Sequence, residues 1–98
     1  MTDVAVHDSP DAHRYEAVVD GEVVGFADYT LDQDVITFVH TEVDDAQEGQ
    51  GVGSALIRGA IDDVRVKGAR TVRAACPFVS TWLRDHPENN DLLDQPPG

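Results

Sequence analysis

Three alternate glycines followed by a long apolar pattern restrict the fold of this chain more than any other segment. The glycines are Gly49, Gly51 and Gly53, and the residues after them are apolar at three- and four-residue spacing. This spacing predicts an amphipathic helix over about residues 51–67, with cations in its last turn and Gly68 as its C-cap. The apolar stripe consists of Val52, Leu56, Ile57, Ala60, Ile61 and Val64.

Three strand-like runs precede this helix. The first covers residues 15–19, the second about residues 22–30, and the third about residues 35–43. Asp20-Gly21 between the first two predicts a tight hairpin, because glycine accepts a positive φ without steric cost. Gly25 within the second strand predicts a bulge or a close approach of another backbone.

The third predicted strand has two chemically different ends. Side chains alternate between the faces of a strand, so one predicted face contains Ile36, Phe38, His40 and Glu42. The other predicted face contains Val35, Thr37, Val39, Thr41 and Val43. The first of these faces changes from apolar to polar along the chain, as expected for a strand that leaves the core and enters a site.

A second strand and helix follow the long helix. Residues 71–75 have strand character, and Pro77 suits the first position of a helix that ends before Pro87. Its expected buried face contains Phe78, Val79, Trp82 and Leu83. The predicted fold is therefore α+β: a three-stranded antiparallel meander, a crossover helix, a parallel fourth strand and a short C-terminal helix. We expect a loose segment over residues 1–12, one compact domain over 13–93 and a disordered tail over 94–98.

The charge of the chain argues against two classes of partner. Its 98 residues contain 19 Asp and Glu but 7 Lys and Arg, a formal net charge of -12. Nucleic acids and anionic membranes are bound by clustered cations, so neither is expected, whereas a cationic partner would be attracted. The sequence has one cysteine, no apolar run of about 20 residues and no metal-ligand spacing of histidines. We expect a cytoplasmic protein without a disulfide or a metal.

The glycine turn has the chemistry of an anion site. Without side chains, its backbone N–H groups can approach a ligand closely, and the first helical turn adds unpaired N–H groups and the positive end of the dipole. Ser54 can add a hydroxyl donor. A Walker loop would require a lysine here, and the dinucleotide pattern GxGxxG is not met. The turn therefore predicts another kind of phosphate or pyrophosphate site, the alternative being a loop that merely starts a helix.

The segment around this turn resembles the acetyl-CoA-binding motif of the GNAT superfamily of N-acetyltransferases. That motif is Gln/Arg-x-x-Gly-x-Gly/Ala; Gly51 and Gly53 match its small positions, and Glu48 stands where Gln or Arg is usual. The resemblance extends over about residues 15–93. A compact branch of the superfamily, the YjdJ-type proteins, has flanks similar to His40-Thr41-Glu42-Val43, Cys76-Pro77-Phe78-Val79 and His86-Pro87-Glu88.

The resemblance implies an acetyl-CoA-dependent enzyme with its site beside the glycine turn. It implies that the third and fourth predicted strands splay apart, that the third pairs with the pantetheine amides near residues 41–43, and that the thioester lies in the gap. The residues implied to bind acetyl-CoA or coenzyme A are Thr41, Val43, Gln50, Gly51, Val52, Gly53, Ser54 and Pro77.

Three side chains are candidates for acetyl transfer, which needs a neutral amine and a proton for the departing thiolate. His40 and Glu42 could take the ammonium proton, directly or through water. Cys76 would cap the second helix, where a low thiol pKa is favoured; it could protonate the thiolate, bind near the thioester or carry the acyl group. Larger superfamily members often use a later tyrosine as the acid, and this chain has none after Tyr29. The alternatives are a histidine that caps a strand, a solvated carboxylate and a small buried cysteine.

The first functional hypothesis is an N-acetyltransferase that moves an acetyl group to an unidentified amine by direct attack. The acceptor would be a small molecule or a Lys-containing peptide, and the protein a monomer or a weak homodimer. A second hypothesis is a non-catalytic module that binds or senses coenzyme A and docks a partner protein, since a short chain leaves few residues for an acceptor pocket. A third is a partner-binding domain with a vestigial glycine loop.

Overall fold

The computed structural model describes residues 3–45 and 51–94, which form a five-stranded sheet and two α-helices. The strands are β1 (Ala5–Ser9), β2 (Arg14–Val19), β3 (Glu22–Asp32), β4 (Val35–Val43) and β5 (Thr71–Ala74). The helices are α1 (Val52–Lys67) and α2 (Pro77–Asp85), and 3-10 segments span Pro10–Ala12 and Pro87–Leu92. Strands β1 to β4 form an antiparallel meander in sequence order, and β5 pairs with β4 in parallel. The predicted α+β arrangement is confirmed, with one additional strand.

The turn chemistry of the β2–β3 hairpin is as predicted. Asp20 and Gly21 both have positive φ, 52° and 81°, which is the requirement of a type I′ turn. Gly25 lies where β3 and β4 approach closely, because a Cβ built on it would be 3.0 Å from the carbonyl oxygen of Glu42. The β2–β3 register also shifts between Ala17 and Val18, opposite this glycine.

The N-terminal residues 5–9 are not loose, and that expectation was wrong. They form β1, which pairs along its whole length with residues 14–18 of β2. Val6 lies on the helix side of the sheet, where a Cβ added to Gly59 of α1 would be 2.6 Å from the Cβ of Val6. The strand is therefore stabilised by a contact with a distant helix, which the weak local alternation of Val4 and Val6 does not reveal.

The core lies between one face of the sheet and the helices. All six residues of the apolar stripe of α1 are buried, as predicted, against the side chains of Tyr15, Ala17 and Phe38. Burying one valine, leucine or isoleucine side chain of this stripe stabilises the fold by about 1.5–3 kcal/mol. In α2, Val79, Trp82 and Leu83 join this core. The predicted burial of Phe78 was wrong, because its ring is 45% exposed.

Strand β4 contains a bulge that changes which residues share a face. Phe38 pairs with Tyr29 and His40 with Asp28, so Val39 is an extra residue in β4. An extra residue reverses the alternation beyond it. The placement of His40 and Glu42 on the face of Ile36 and Phe38 was therefore wrong. These two residues lie on the face away from the helices, and Thr41 and Val43 take the helix side.

Candidate active site

A crevice opens where β4 and β5 separate. The two strands pair from Val35 with Thr71 to Phe38 with Ala74, and the N–H of Ala75 donates to the carbonyl of Phe38 at 2.8 Å. Beyond this point the chain turns into α2, while β4 continues to Val43. Within the described part of the chain, residues 39–43 therefore have β3 on one side and no strand on the other. An open strand edge of this kind can accept an extended, amide-bearing ligand.

Cys76 lies in this crevice and faces β4. It is the N-cap residue of α2, it is buried, and its thiol donates to Thr41 Oγ1 across 3.6 Å. Burial raises the pKa of the Cys76 thiol, but hydrogen bonds from the N–H of Val79, the hydroxyl of Thr41 and the N–H of Phe78 to the thiolate outweigh burial. The pKa of Cys76 is therefore lowered from its ordinary value, as expected for sulfur at a helix N-terminus.

The second half of the glycine turn presents backbone donors. Gly51 caps α1 with a left-handed φ of 76°, and the first intrahelical bond runs from the N–H of Ala55 to the carbonyl of Gly51 at 3.0 Å. The N–H groups of Val52, Gly53 and Ser54 consequently have no acceptor inside the helix. The side chain of Val52 is buried, so only its N–H can serve a ligand. Glu48, Gly49 and Gln50 lie outside the described residues.

Phe78 covers the turn from the side of α2. A Cβ on Gly53 would lie 2.7 Å from Cζ of the Phe78 ring, so a residue without a side chain is required for this approach. The ring also lines an open cavity of about 250 Å³ together with Thr41, Val43 and Asp45. Pro77 occupies the first position of α2 and is exposed. The sequence pattern did not identify Phe78 as a site residue, although its place after Cys-Pro in the matching flank was a usable signal.

Trp82 links the helix core to the glycine turn. Its ring is buried as predicted, and its Nε1–H donates to Ser54 Oγ at 3.0 Å. This bond uses the oxygen of Ser54 as an acceptor and leaves the hydroxyl hydrogen available to a ligand. The contact fixes the first turn of α1 against α2, a role that the sequence did not indicate.

His40 and Glu42 form a separate pair on the opposite face of the sheet. His40 Nε2 lies 3.5 Å from Glu42 Oε1, and both side chains are more than half exposed. Glu42 also lines a wide cavity of about 590 Å³ at the end of β4, with Phe26, Thr41, Val43, Asp44 and Asp45. The structure thus brings Thr41 and Cys76 together, and it places His40 away from them.

The residues of the crevice fit a long ligand with a phosphate group at one end and amide groups in the middle. The three N–H groups and the Ser54 hydroxyl suit a phosphate, and the open edge of β4 suits amides. A Cβ on Gly53 would meet the Phe78 ring in its present position, so a glycine there lets the ring lie against the turn. Comparison with known proteins agrees with this chemistry: residues 14–92 match the family described as GCN5-related N-acetyl-transferase.

The chain belongs to the GCN5-related N-acetyltransferase family. The fold of this family binds acetyl-CoA and supports acetyl transfer, so this chain is an N-acetyltransferase by family. No curated protein sequence matches the chain significantly. Its assignment to the YjdJ-type branch stays a prediction.

Solved structures of this family share the fold. A GCN5-like protein from Staphylococcus aureus has a TM-score of 0.69 and 21% identity, over 95% of this chain and 90% of that one. The ribosomal-protein-S18-alanine N-acetyltransferase from Escherichia coli has a TM-score of 0.64 and 18% identity, over 89% and 76% of the two chains. The enzyme AAC(6')-Iy, in complex with the bisubstrate analogue CoA-S-monomethyl-acetylneamine, has a TM-score of 0.54 and 20% identity, over 87% and 63%.

Residues 3–45 and 51–94 contain neither a metal-binding cluster nor a membrane-spanning helix. No group of three or more His, Cys, Asp or Glu side chains there is placed to hold a metal ion. Neither helix in that part of the chain has the length and apolar character needed to cross a membrane.

Proposed function

We propose that the protein binds acetyl-CoA in the crevice between β4 and β5 and transfers the acetyl group to an amine by direct attack. The observation that supports this most is the open edge of β4 over residues 39–43, with α1 and α2 both directing their N-terminal turns toward the same region. The crevice then offers, in order along a single path, donors for an anion, a strand edge for amides and a polarised thiol.

The pyrophosphate would bind at the N-terminus of α1. The N–H groups of Val52, Gly53 and Ser54 and the Ser54 hydroxyl would donate to it, and Gln50 would add a contact from outside the described residues. The net charge of -12 opposes an anionic ligand. At physiological salt, however, this repulsion is largely screened at distances beyond about 8–10 Å. Short, directed hydrogen bonds at the helix end therefore decide the binding.

The pantetheine would lie along the free edge of β4. Its two amides would bond to backbone groups near Thr41 and Val43, as an added strand does. Phe78 and Pro77, at the start of α2, would cover the pantetheine on the side away from β4. The thioester would then lie near Cys76 Sγ.

The chemistry would be shared between the crevice and its rim. Acetyl-CoA supplies an activated acetyl group when it is bound. The amine nitrogen forms a bond to the acetyl carbon while the carbon–sulfur bond breaks. Glu42, held by His40, would take the proton of the ammonium, directly or through water. Cys76 would give its proton to the departing thiolate and would regain one from the newly acetylated nitrogen, directly or through water. The hydrogen bonds that lower the pKa of Cys76 make that donation easier.

The acceptor would be a cationic amine, either a small molecule or a Lys-containing peptide. Glu42, Asp44 and Asp45 line the wide cavity at the end of β4, and carboxylates at a cavity mouth attract ammonium groups. The family relative AAC(6')-Iy was solved with an analogue that joins coenzyme A to acetylneamine, which is consistent with an amine acceptor at this site.

One observation favours the second hypothesis, a module that binds or senses coenzyme A and docks a partner protein without turnover. His40 and Glu42 lie on the face of the sheet away from Cys76, so the two halves of the proton transfer are not adjacent. A binding function requires the crevice alone.

Two experiments distinguish these functions. Calorimetry with acetyl-CoA and with coenzyme A should show binding; no heat of binding at millimolar ligand would end both hypotheses and leave a vestigial turn. Release of free thiol from acetyl-CoA with polyamines, amino acids and Lys peptides as acceptors should then exceed hydrolysis in buffer. Binding without any acceptor-dependent release would establish the non-catalytic module.

A further inference from the structure

Few cations of this acidic chain are available to bind the phosphates of coenzyme A, and Arg58 is one of them. Coenzyme A carries a ribose 3′-phosphate in addition to its pyrophosphate, and a chain with 19 acidic and 7 basic residues has few cations to bind it. Most of these cations are already paired. Arg14 lies by Glu16, Arg65 by Asp91, Lys67 by Asp8 and Asp63, and Arg73 by Asp94. Only a cation without such a partner can contact a phosphate without first breaking an ion pair.

Three arginines have no carboxylate partner among residues 3–45 and 51–94. Arg84 is exposed in the last turn of α2, and Arg70 has a buried Nε near the opposite end of the sheet. Arg58 is exposed on α1, four residues after Ser54, so the two side chains share one face of the helix. Long helical side chains also lean toward the N-terminus, which directs Arg58 toward the glycine turn.

Within the described part of the chain, an aromatic ring and not a carboxylate positions the Arg58 guanidinium. Its Cζ lies 5.6 Å from the centroid of the Trp82 ring, within the range of a cation–π contact. Trp82 in turn donates to Ser54, and its other contacts include a stacked His86 ring at 3.9 Å. Arg58, Trp82 and Ser54 thus form one contiguous unit in which the guanidinium keeps its hydrogen-bond donors for another group.

We propose that Arg58 binds the ribose 3′-phosphate of coenzyme A and makes the protein prefer coenzyme A over 3′-dephospho-coenzyme A. This inference rests on the proposed function. The pyrophosphate takes the N–H groups at the end of α1, whereas Arg58 lies about 6 Å farther along the helix axis, at 1.5 Å per residue. It is therefore placed for a second phosphate beside the helix, and its planar fork suits bidentate contact with phosphate.

The test compares two ligands and four proteins by calorimetry. Wild type should bind coenzyme A about 10- to 100-fold more tightly than 3′-dephospho-coenzyme A, the range expected for charge-assisted hydrogen bonds. Arg58→Gln should remove this preference, with an unchanged affinity for the dephospho ligand. Arg58→Lys should keep part of it, because charge remains but the fork is lost. Arg84→Gln is the matched control and should behave as wild type.

The outcomes separate this inference from the proposed function. If wild type binds neither ligand, the proposed function fails, and this inference fails with it. If wild type binds both ligands and Arg58→Gln retains the preference, Arg58 does not contact the 3′-phosphate. An equal loss for both ligands would also overturn the inference, because it would place Arg58 on the pyrophosphate. An unchanged thermal midpoint of Arg58→Gln would show that the fold is intact.

Discussion

The two ends of α1 differ in how completely their polar groups are satisfied. At the C-terminal end, Lys67 contacts Asp63 at 2.8 Å and Asp8 at 3.1 Å. Tyr15 donates to Asp63 at 2.7 Å, and Tyr29 donates to Asp8 at 2.6 Å. At the N-terminal end, the first N–H groups have no acceptor within the helix, and no second strand of residues 3–45 and 51–94 pairs with the neighbouring edge of β4. The first end joins α1 to three strands and stabilises the fold, whereas the second has donors without intrahelical acceptors, at the place where we propose that the ligand binds.

Two glycines of α1 show the same contrast. A Cβ on Gly59 would lie 2.6 Å from the Cβ of Val6, an atom next to the backbone of a paired strand that cannot move alone. A Cβ on Gly53 would meet the end of the Phe78 ring, which is 45% exposed and can rotate away. One glycine is therefore required by the fold and the other by the shape of the site.

The largest expected effect belongs to Cys76, which lies near the N-terminal end of α1, called the open end below. If its thiol protonates the leaving group, Cys76→Ala should lower turnover by about 100-fold, the lower range for loss of a general acid, with little change in acetyl-CoA affinity. Cys76→Ser should also be slow, because a serine hydroxyl is a much weaker acid. Steady-state kinetics and calorimetry on the same preparations measure both quantities. Unchanged rates in both variants would remove Cys76 from the mechanism.

The next effect is on stability and comes from Gly59. Gly59→Ala should lower the free energy of unfolding by about 2 kcal/mol, because overpacking against Val6 exceeds the gain of up to about 1 kcal/mol in helix propensity. Gly53→Ala is the matched control on the same helix and should stay within about 0.5 kcal/mol of wild type, since the Phe78 ring can yield. Urea unfolding measures both.

A second substitution tests the reason given for the Gly59 effect. Adding Val6→Ala to Gly59→Ala should recover part of the lost stability, because it removes Cγ1 and Cγ2 of Val6, which lie 2.9 and 2.8 Å from the new Cβ, and leaves only the Val6 Cβ at 2.6 Å. If the double variant loses as much stability as the two single variants together, the contact with β1 does not cause the Gly59→Ala effect.

Tyr15 and Tyr29, near the C-terminal end of α1, predict that the fold loses stability at alkaline pH. Burial, the hydrogen bond to Asp63 and the negative charges of Asp63 and Asp8 raise the pKa of Tyr15 above its ordinary 10.0. Burial and the hydrogen bond to Asp8 also raise the pKa of Tyr29. Above pH 10 the unfolded chain releases these protons and the folded chain retains them, so unfolding is favoured. Each tyrosine should contribute about 1.4 kcal/mol of lost stability per pH unit in that range.

Tyr15→Phe separates this effect from the other titrations. At neutral pH it should lower the free energy of unfolding by about 1–2 kcal/mol, because Asp63 loses a donor. Between pH 10 and 11 it should lose stability less steeply than wild type, and Lys67, whose pKa is also raised, cancels in the comparison. Denaturant unfolding at several pH values measures both. Equal slopes for the two proteins would contradict the assigned cause.

Local patterns predicted the elements whose causes are local. The Asp20-Gly21 turn needs only the permissive backbone of glycine, and the α1 stripe needs only helical spacing, so both followed from sequence. The bulge at Val39 depends on the register of the paired strand, and β1 depends on the contact of Val6 with Gly59. Neither cause is contained in the neighbouring residues, and the bulge was the reason that His40 and Glu42 were assigned to the wrong face.

The smallest effect tests how the open end prepares Cys76. The Thr41 hydroxyl is one of the groups that lower the pKa of the thiol, and the N–H groups of Val79 and Phe78 remain without it. Thr41→Val should therefore raise the pKa of Cys76 without abolishing the helix contribution. The pH dependence of alkylation by a small reagent measures the change, and Thr37→Val, on the opposite face of β4, is the control. An alkylation profile that does not move would mean that the Thr41 hydroxyl does not set the acidity of the thiol. The lowered pKa of Cys76 would then depend on backbone groups alone, those of Val79 and Phe78 in α2 and that of Thr41 in β4, which the substitution leaves in place.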